Sequence, residues 1–426
     1  MLRVLIINTS EQTGGAAQAA HRLMVALNTN GVEARMLVAE KLSDDPRVVA
    51  LPSHWRHRMH FLWERLCLFA HLRFSRQNLF QIDMANAGTD ITKTAAFRQA
   101  DVIHLHWVNQ GMLSLRDIER ILQSGKPVVW TMHDLWPATA ICHYARGCEW
   151  YHESCHHCPL LPDGGRRNDL SARVWRRKQR MLSRGRIAFV ACSQWLEGEA
   201  RKSALFKEQT VTNIPNPIDT SIFRPIDRQE ARRQLGLPEQ GRIILFVSQR
   251  VTDERKGISY LIEAIDLLVK NNASWQKDTT IAILGGQADE VASRLAMPAH
   301  PLGYISDVET IVRVYNAADV FVTPSLEDNL PNTIMEAMAC GVPCVGFRVG
   351  GIPEMIDHQL TGYVARFADS VDLATGIDWV LNHPYRRSLS AASLQKVADS
   401  YSQASVARRY TEVYEQMIKE KGQPSC

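Results

Sequence analysis

Long hydrophobic runs are the first thing this chain lacks. No stretch of its 426 residues approaches the roughly 18 consecutive apolar residues that a bilayer-spanning helix requires. The opening segment, MLRVLIINTS, is apolar too briefly for a signal peptide and carries no cleavage pattern; the expected compartment is therefore the cytoplasm. A one-sided charge is also missing. Forty-nine Lys and Arg stand against 45 Asp and Glu, so a net charge of +4 gives no chain-wide affinity for nucleic acid. The spaced three-glycine fingerprint of dinucleotide oxidoreductases is absent, because Gly14–Gly15 stands alone after the first apolar run. Cysteine is sparse and uneven. Of nine, Cys67, Cys192, Cys340, Cys344 and Cys426 are scattered and read as small hydrophobes, whereas four are bunched between Cys142 and Cys158.

What is present is an alternation of short apolar runs with helical stretches. A chain of this length implies at least two domains. Strands are expected at 3–8, 34–39, 101–107, 128–132 and 187–192, with a helix over 16–28. The pattern then restarts, with strands at 243–248, 281–284, 320–323, 343–347 and 362–364 and a helix over 258–270. Pro215, Pro217 and Pro225 mark a linker between the halves, and the boundary falls near Pro217. Such alternation predicts an α/β chain of two doubly wound, parallel-sheet domains. Ligands of such sheets sit beyond the carboxyl ends of the strands, so the natural place for chemistry is a cleft between the two halves.

Two strand-to-helix junctions of the second half carry the candidate chemistry. In SQRVTDERKG, Arg250 and Lys256 flank a loop, where they either clamp a diphosphate or pair on the surface with Asp253 and Glu254. In EDNLPNTIMEAMACG, Pro331 fits the first position of a helix over 331–340 and Gly341 the residue just past its end. The exposed amides at that start favour an anion. Asp328 and Glu336 lie eight residues apart, about 12 Å of helical rise. That is beyond the roughly 5–9.5 Å of a hydrolase acid pair. Carboxylates that accept hydrogen bonds from sugar hydroxyls obey no such spacing; the other reading of both is as surface acids. Cations, amides and carboxylates together fit a diphosphate with a hydroxylated group at each end.

Together with GGAAQAAHRL (14–23), Gly285–Gly286, DNLPNTIMEAMACGVPCV and VGGIPEMI, these junctions resemble the retaining glycosyltransferases of family four over nearly the whole chain. The resemblance implies the GT-B architecture, two Rossmann-like domains facing a central cleft. It assigns residues 1–217 to the acceptor side, 218–400 to the donor side and 401–426 to a C-terminal helix packing back on the first domain. It further implies that Arg250 and Lys256 hold the diphosphate of a UDP- or GDP-sugar, that Glu336 binds the ribose, and that the loop of Asn329, Leu330 and Pro331 approaches phosphate and sugar. Gly14, Gly15 and Gly285 would belong to the donor site, and His133 in WTMHD would lie beside the transferred sugar. The family's usual pair is Glu, seven residues, Glu; here the first place is taken by Asp328, expected to meet the transferred sugar. No cofactor is implied for catalysis, and the leaving diphosphate would be stabilised by Arg250, Lys256 and helix amides.

His104, His106 and Trp107 end a neighbouring strand and either line an acceptor pocket or cap the sheet. The cluster Cys142, Cys148, Cys155 and Cys158, interleaved with histidines, reads as a structural zinc site, a redox group or plain thiols. A similar insert resembles that of an exopolysaccharide, colanic-acid-type branch of the family, which implies a glycan or lipid-linked glycan acceptor. Two basic segments bear on that acceptor. Residues 166–186 hold nine Lys and Arg against Asp169 alone. In 54–76, Trp55, Met59, Leu62, Leu66 and Phe69 recur at helical spacing among arginines. Each is either an ordinary helix, packed on the sheet or solvated, or a surface for an anionic membrane, placing the protein on the inner face of the cytoplasmic membrane. The alternatives to transfer are a nucleotide-sugar epimerase or phosphorylase on the same architecture, or a scaffold without catalysis.

Overall fold

The computed structural model describes residues 1–422; Cys426 and the end of the expected 401–426 segment lie outside them. The chain forms two compact units, one of Met1–Pro217 together with the chain from Val406, the other of Ile218–Ser405.

The first unit is built on a seven-stranded parallel sheet of β1 (Arg3–Ser10), β2 (Glu33–Glu40), β3 (Val48–Ala50), β4 (Val102–Leu105), β5 (Val128–Met132), β6 (Ala188–Ala191) and β7 (Thr210–Asn213). Their order is β3-β2-β1-β4-β5-β6-β7. The run reverses direction between β1 and β4, which makes that gap the topological switch point. Three helices matter here: α1 (Gly15–Thr29), α2 (His54–His71) and α3 (Leu170–Leu182). Val4, Ile6, Leu23, Met36 and Val190 share one core with Tyr410 and Tyr414 of the C-terminal helix Gln403–Gly422.

The second unit repeats the plan with β8 (Arg242–Arg250), β9 (Thr279–Gly286), β10 (Ala299–Gly303), β11 (Val320–Thr323), β12 (Cys344–Phe347) and β13 (Gly362–Ala365). The order β10-β9-β8-β11-β12-β13 puts its switch point between β8 and β11. Helices α4 (Ile258–Asn271) and α5 (Asn332–Ala339) follow those two strands. Phe246, Ile281, Ile283, Val320, Val345 and Phe347 are the centre of this core. Strands buried on both faces explain why the sequence shows continuous apolar runs rather than alternation. Among the described residues, no helix is long and apolar enough to cross a membrane.

Of the two readings of the 54–76 segment, packing on the sheet fails. The apolar stripe of α2 does not pack on the sheet: Trp55, Met59, Leu62, Trp63 and Leu66 are exposed, while His57, Glu64, Arg65 and Leu68 are buried.

Candidate functional site

The second unit's switch point gathers the charged residues. After β8 the chain makes a 3-10 turn, Glu254–Lys256, capped by Asp253, whose side chain accepts from the Arg255 amide at 3.0 Å. Gly257 then takes a left-handed conformation (φ 67°) and lies so close to the β11 loop that a Cβ would meet Pro324 O at 1.9 Å. Arg255 ties the two loops further, donating from Nη1 to Glu327 O at 3.0 Å while its carbonyl accepts from Leu326 N at 2.8 Å. The result is an ion pair, Lys256 Nζ to Asp328 Oδ2 at 2.5 Å, with both side chains largely buried. Lys256 therefore does not pair with Asp253 or Glu254. Arg250 is exposed at the end of β8, and no ion pair forms on it among the described residues. Its own carbonyl accepts from Ser248 Oγ at 2.9 Å, which shapes the bulged end of β8.

Two glycines of the sequence motifs have steric reasons here. At Gly350 (φ 53°) a Cβ would meet Asp328 O at 1.7 Å, so the VGGIPEMI loop can support the Asp328 loop only through glycine. At Gly285 a Cβ would meet Ser248 O at 1.8 Å; this residue lets the end of β9 lie against the Arg250 strand.

Helix α5 starts at Asn332, with Pro331 extended just before it; as a proline, its N-cap residue supplies no side-chain cap. Gly341 follows its end at φ 72°. These bounds lie one residue inside the sequence reading at each end, within the ordinary fraying of helix termini. Asn329 and Leu330 are buried in the loop that leads in. Glu336, a carboxylate inside an apolar helix, accepts from the Tyr315 hydroxyl at 2.8 Å. Tyr315 is fully buried. It was not singled out in the sequence, where it sits in an apolar helical stretch without any motif to flag it.

The first unit's switch point is different. A cavity of about 620 Å³ opens there, walled by Thr9 and Ser10 of β1, Glu40 of β2, Gly14 and Gly15 at the start of α1, Trp107 after β4, and His57, Arg58 and Phe61 of α2. Trp107 donates its indole N–H to Asp134 Oδ2 at 3.2 Å, and Asp134 also accepts from His143 Nδ1 at 2.7 Å. Burial opposes charge on both partners of that pair. Their mutual attraction nevertheless holds Asp134 below the usual carboxylate range and His143 above the usual imidazole range.

Of the histidines expected near an acceptor, His133 is half-buried and its Nε2 lies 3.0 Å from His106 Nδ1. Burial lowers the His133 pKa to about 4 and that of His106 well below its ordinary value, so the pair is neutral. His104 lies away from the cavity: it is fully buried, with Nδ1 2.7 Å from Tyr414 Oη and Nε2 2.8 Å from Thr131 Oγ1. Residues two apart on a strand share a face, and the face carrying His104 is covered by the C-terminal helix. Of the three, only Trp107 walls the cavity.

The zinc expectation is corrected. No group of three or more His, Cys, Asp or Glu that could hold a metal ion occurs among the described residues. Cys142, Cys148, Cys155 and Cys158 form no disulfide either. Burial raises the Cys142 thiol to about 11 and raises Cys155 and Cys158 as well. Lys178 of α3, near enough to Cys142 and Cys155 to feel their charge, is fully buried; its ammonium donates to Trp136 O and to Thr139 O and lies 3.5 Å from the centre of the Trp136 ring.

With this geometry in hand, comparison with known proteins is decisive for the family. Residues 13–222 match the family described as Glycosyltransferase Family 4, and residues 241–383 match Glycosyl transferases group 1. The chain belongs to the family-four, GT-B-type glycosyltransferases. A D-inositol 3-phosphate glycosyltransferase of Catenulispora acidiphila is 28% identical over 225 residues, 49% of this chain and 51% of that protein. The chain thus spans about half the length of the curated relatives it matches. Among solved structures, a sucrose-phosphate synthase of Thermosynechococcus elongatus superposes with a TM-score of 0.67 at 19% identity, covering 99% of this chain and all of that one. The Anabaena HepE protein in complex with UDP and glucose gives 0.64 at 15% identity, covering 98% and 100%. At those identities the likeness concerns the fold.

Proposed function

We propose that this family-four glycosyltransferase moves a hexosyl group from a nucleoside-diphosphate sugar, UDP- or GDP-linked, to a glycan acceptor with retention of anomeric configuration. The observation that carries the reading is the Lys256–Asp328 pair at the second switch point, beside the start of α5 and an exposed Arg250 that forms no ion pair among the described residues. Breaking the sugar–phosphate bond puts negative charge on the departing diphosphate, where Lys256, Arg250 and the α5 amides can stabilise it. Asp328 would accept from hydroxyls of the transferred sugar, and Glu336, held by Tyr315, from the ribose. Neutral His133 would exchange hydrogen bonds with the sugar at no cost of buried charge. Because Lys256 engages Asp328, that carboxylate is a weak nucleophile, which favours attack on the same face as the leaving group over a covalent intermediate.

Residues 1–217 would serve the acceptor and 218–400 the donor. The cavity of the first unit is the acceptor site in this reading, with Trp107 as its aromatic wall and Gly14–Gly15 in its lining. The acceptor is proposed to be a lipid-linked glycan in surface-polysaccharide synthesis, met at the inner face of the cytoplasmic membrane. HepE in complex with UDP supports the donor class; no observation favours an epimerase. The test is thermal unfolding with UDP, GDP, UMP and GMP. A ligand held at 100 times its Kd raises stability by about 2.7 kcal/mol. Stabilisation by a diphosphate but not by its monophosphate is expected; equal response to all four would refute the diphosphate clamp.

A further inference from the structure

Helix α2 is built the wrong way out for a soluble protein. Its buried face is polar. Arg65 donates from Nη2 to Asp83 Oδ2 at 3.1 Å and from Nη1 to Leu79 O at 2.7 Å, and Glu64 Oε1 accepts from Ala85 N at 2.6 Å. Burial and the neighbouring Asp83 raise the Glu64 pKa, while, against its own burial, the Glu64 hydrogen bond and then the Arg65 charge lower that of Asp83. Rotating the helix would strand these groups, at a cost far above that of exposing a few apolar side chains. The polar anchor therefore fixes an orientation in which Trp55, Met59, Leu62, Trp63 and Leu66 form one exposed stripe, followed by exposed Phe74 and Phe80. A contiguous apolar patch of this kind is uncommon on a surface that stays in water.

Its surroundings carry charge of one sign. Between His54 and Phe80 the single acid is the buried Glu64, whereas Arg56, Arg58, Arg73 and Arg76 are exposed. The basic face of α3 adjoins it, since Arg173 Nη2 lies 3.0 Å from His71 Nε2, and Arg176, Arg177 and Arg180 are exposed along the same helix. Tryptophans beside an apolar stripe, rimmed by arginines without acids, match the water–lipid boundary of an anionic bilayer better than a protein partner, whose interfaces mix both signs. The flank of α2 bordering the stripe supplies Arg58, with His57 and Phe61 behind it, to the wall of the first unit's cavity.

We propose that α2 seats in the surface of an anionic membrane through its Trp55–Leu66 stripe and thereby holds the mouth of the cavity against the bilayer, so that the acceptor is a membrane-resident amphiphile whose polar head reaches the cavity from the lipid side. The part about the acceptor rests on the function proposed above; the docking surface stands without it. The basic segment alone does not carry the attachment, because in this arrangement its arginines supply attraction and the stripe supplies insertion.

The experiment is co-sedimentation of the full chain with vesicles of phosphatidylcholine alone or mixed with phosphatidylglycerol. It compares the wild type, Leu62→Glu/Trp63→Glu and Arg56→Glu/Arg76→Glu. Wild type is expected to sediment with the anionic vesicles only, and the stripe variant to lose about 10-fold or more in partitioning even at low salt. The arginine variant should lose binding and lose its salt dependence. Unchanged thermal unfolding and UDP response in the variants would show that fold and donor site are intact. The docking surface is overturned if wild type ignores both vesicle types, if the stripe variant binds as well as wild type, or if sedimentation equilibrium shows a dimer that the stripe variant dissociates. A wild type that binds vesicles but shows no UDP response would retain the docking surface and sink the donor reading instead.

Discussion

The two units share a strand order around their switch points and fill them with opposite chemistry. Between β8 and β11 the loops bring a lysine, an arginine and two carboxylates to the start of a helix. Between β1 and β4 the same geometry holds a cavity with Trp107 and Phe61 in its wall and a neutral His106–His133 pair beside it. Doubly wound topology fixes where a ligand goes; the side chains after the strands decide which ligand it is. In this protein the division suits a charged donor on one unit and a hydroxylated acceptor on the other.

The sharpest way to break that division is to remove its cation. Lys256→Ala should lower turnover about 10²–10³-fold. Asp328 then loses its partner, so the test pairs kinetics with circular dichroism; near-wild-type turnover in a folded variant removes the assignment. The neutral histidines of the first unit give the next effect. Folded His133 titrates at about 4 and buried His104 at about 3, against an ordinary value of 6.5. With folded values depressed, the unfolded chain binds protons first. Stability is thus full above about pH 6.5 and falls with pH towards those folded values, by on the order of 1.4 kcal/mol per pH unit for each imidazole. Hydrogen exchange between pH 7 and 4 should loosen the first unit before the second; the reverse order would mean that the buried imidazoles do not control acid stability.

A smaller effect is expected at Gly350. Gly350→Ala puts a Cβ against Asp328 O at a left-handed φ, costing about 1–2 kcal/mol from conformation alone. Displacement of the Asp328 loop should weaken donor binding along with the melting temperature, and a lowered melting temperature with unchanged donor affinity would separate the two. The mildest change is Tyr315→Phe, which removes one hydrogen bond to Glu336, about 1 kcal/mol. It should raise the donor KM severalfold with kcat nearly constant; a fall in kcat alone would place Glu336 in the chemistry rather than in ribose binding.

The sequence makes the central strands legible because they are apolar on both faces, and it makes the charged switch point legible because Arg250, Lys256, Asp328 and Glu336 stand in a recognisable set. The three strands it does not reveal, β3, β7 and β10, lie at or near sheet edges, where short polar segments or a proline such as Pro301 leave little signal. Periodicity located the stripe of α2 without revealing which way it faces, since that depends on Asp83, a residue far along the chain that captures Arg65. His104 stayed between two readings, and Tyr315 went unnoticed, for the same reason. Their roles are set by Tyr414 and Glu336, partners that no local pattern connects to them. The cysteine cluster shows that spacing alone does not make a metal site.

The measurement that decides most is a crystal structure with UDP bound. The account predicts the diphosphate within hydrogen-bond reach of Lys256 and Arg250 at the start of α5, with the ribose on Glu336. A diphosphate held in the cavity beside Trp107, with the Lys256–Asp328 pair untouched, would contradict it.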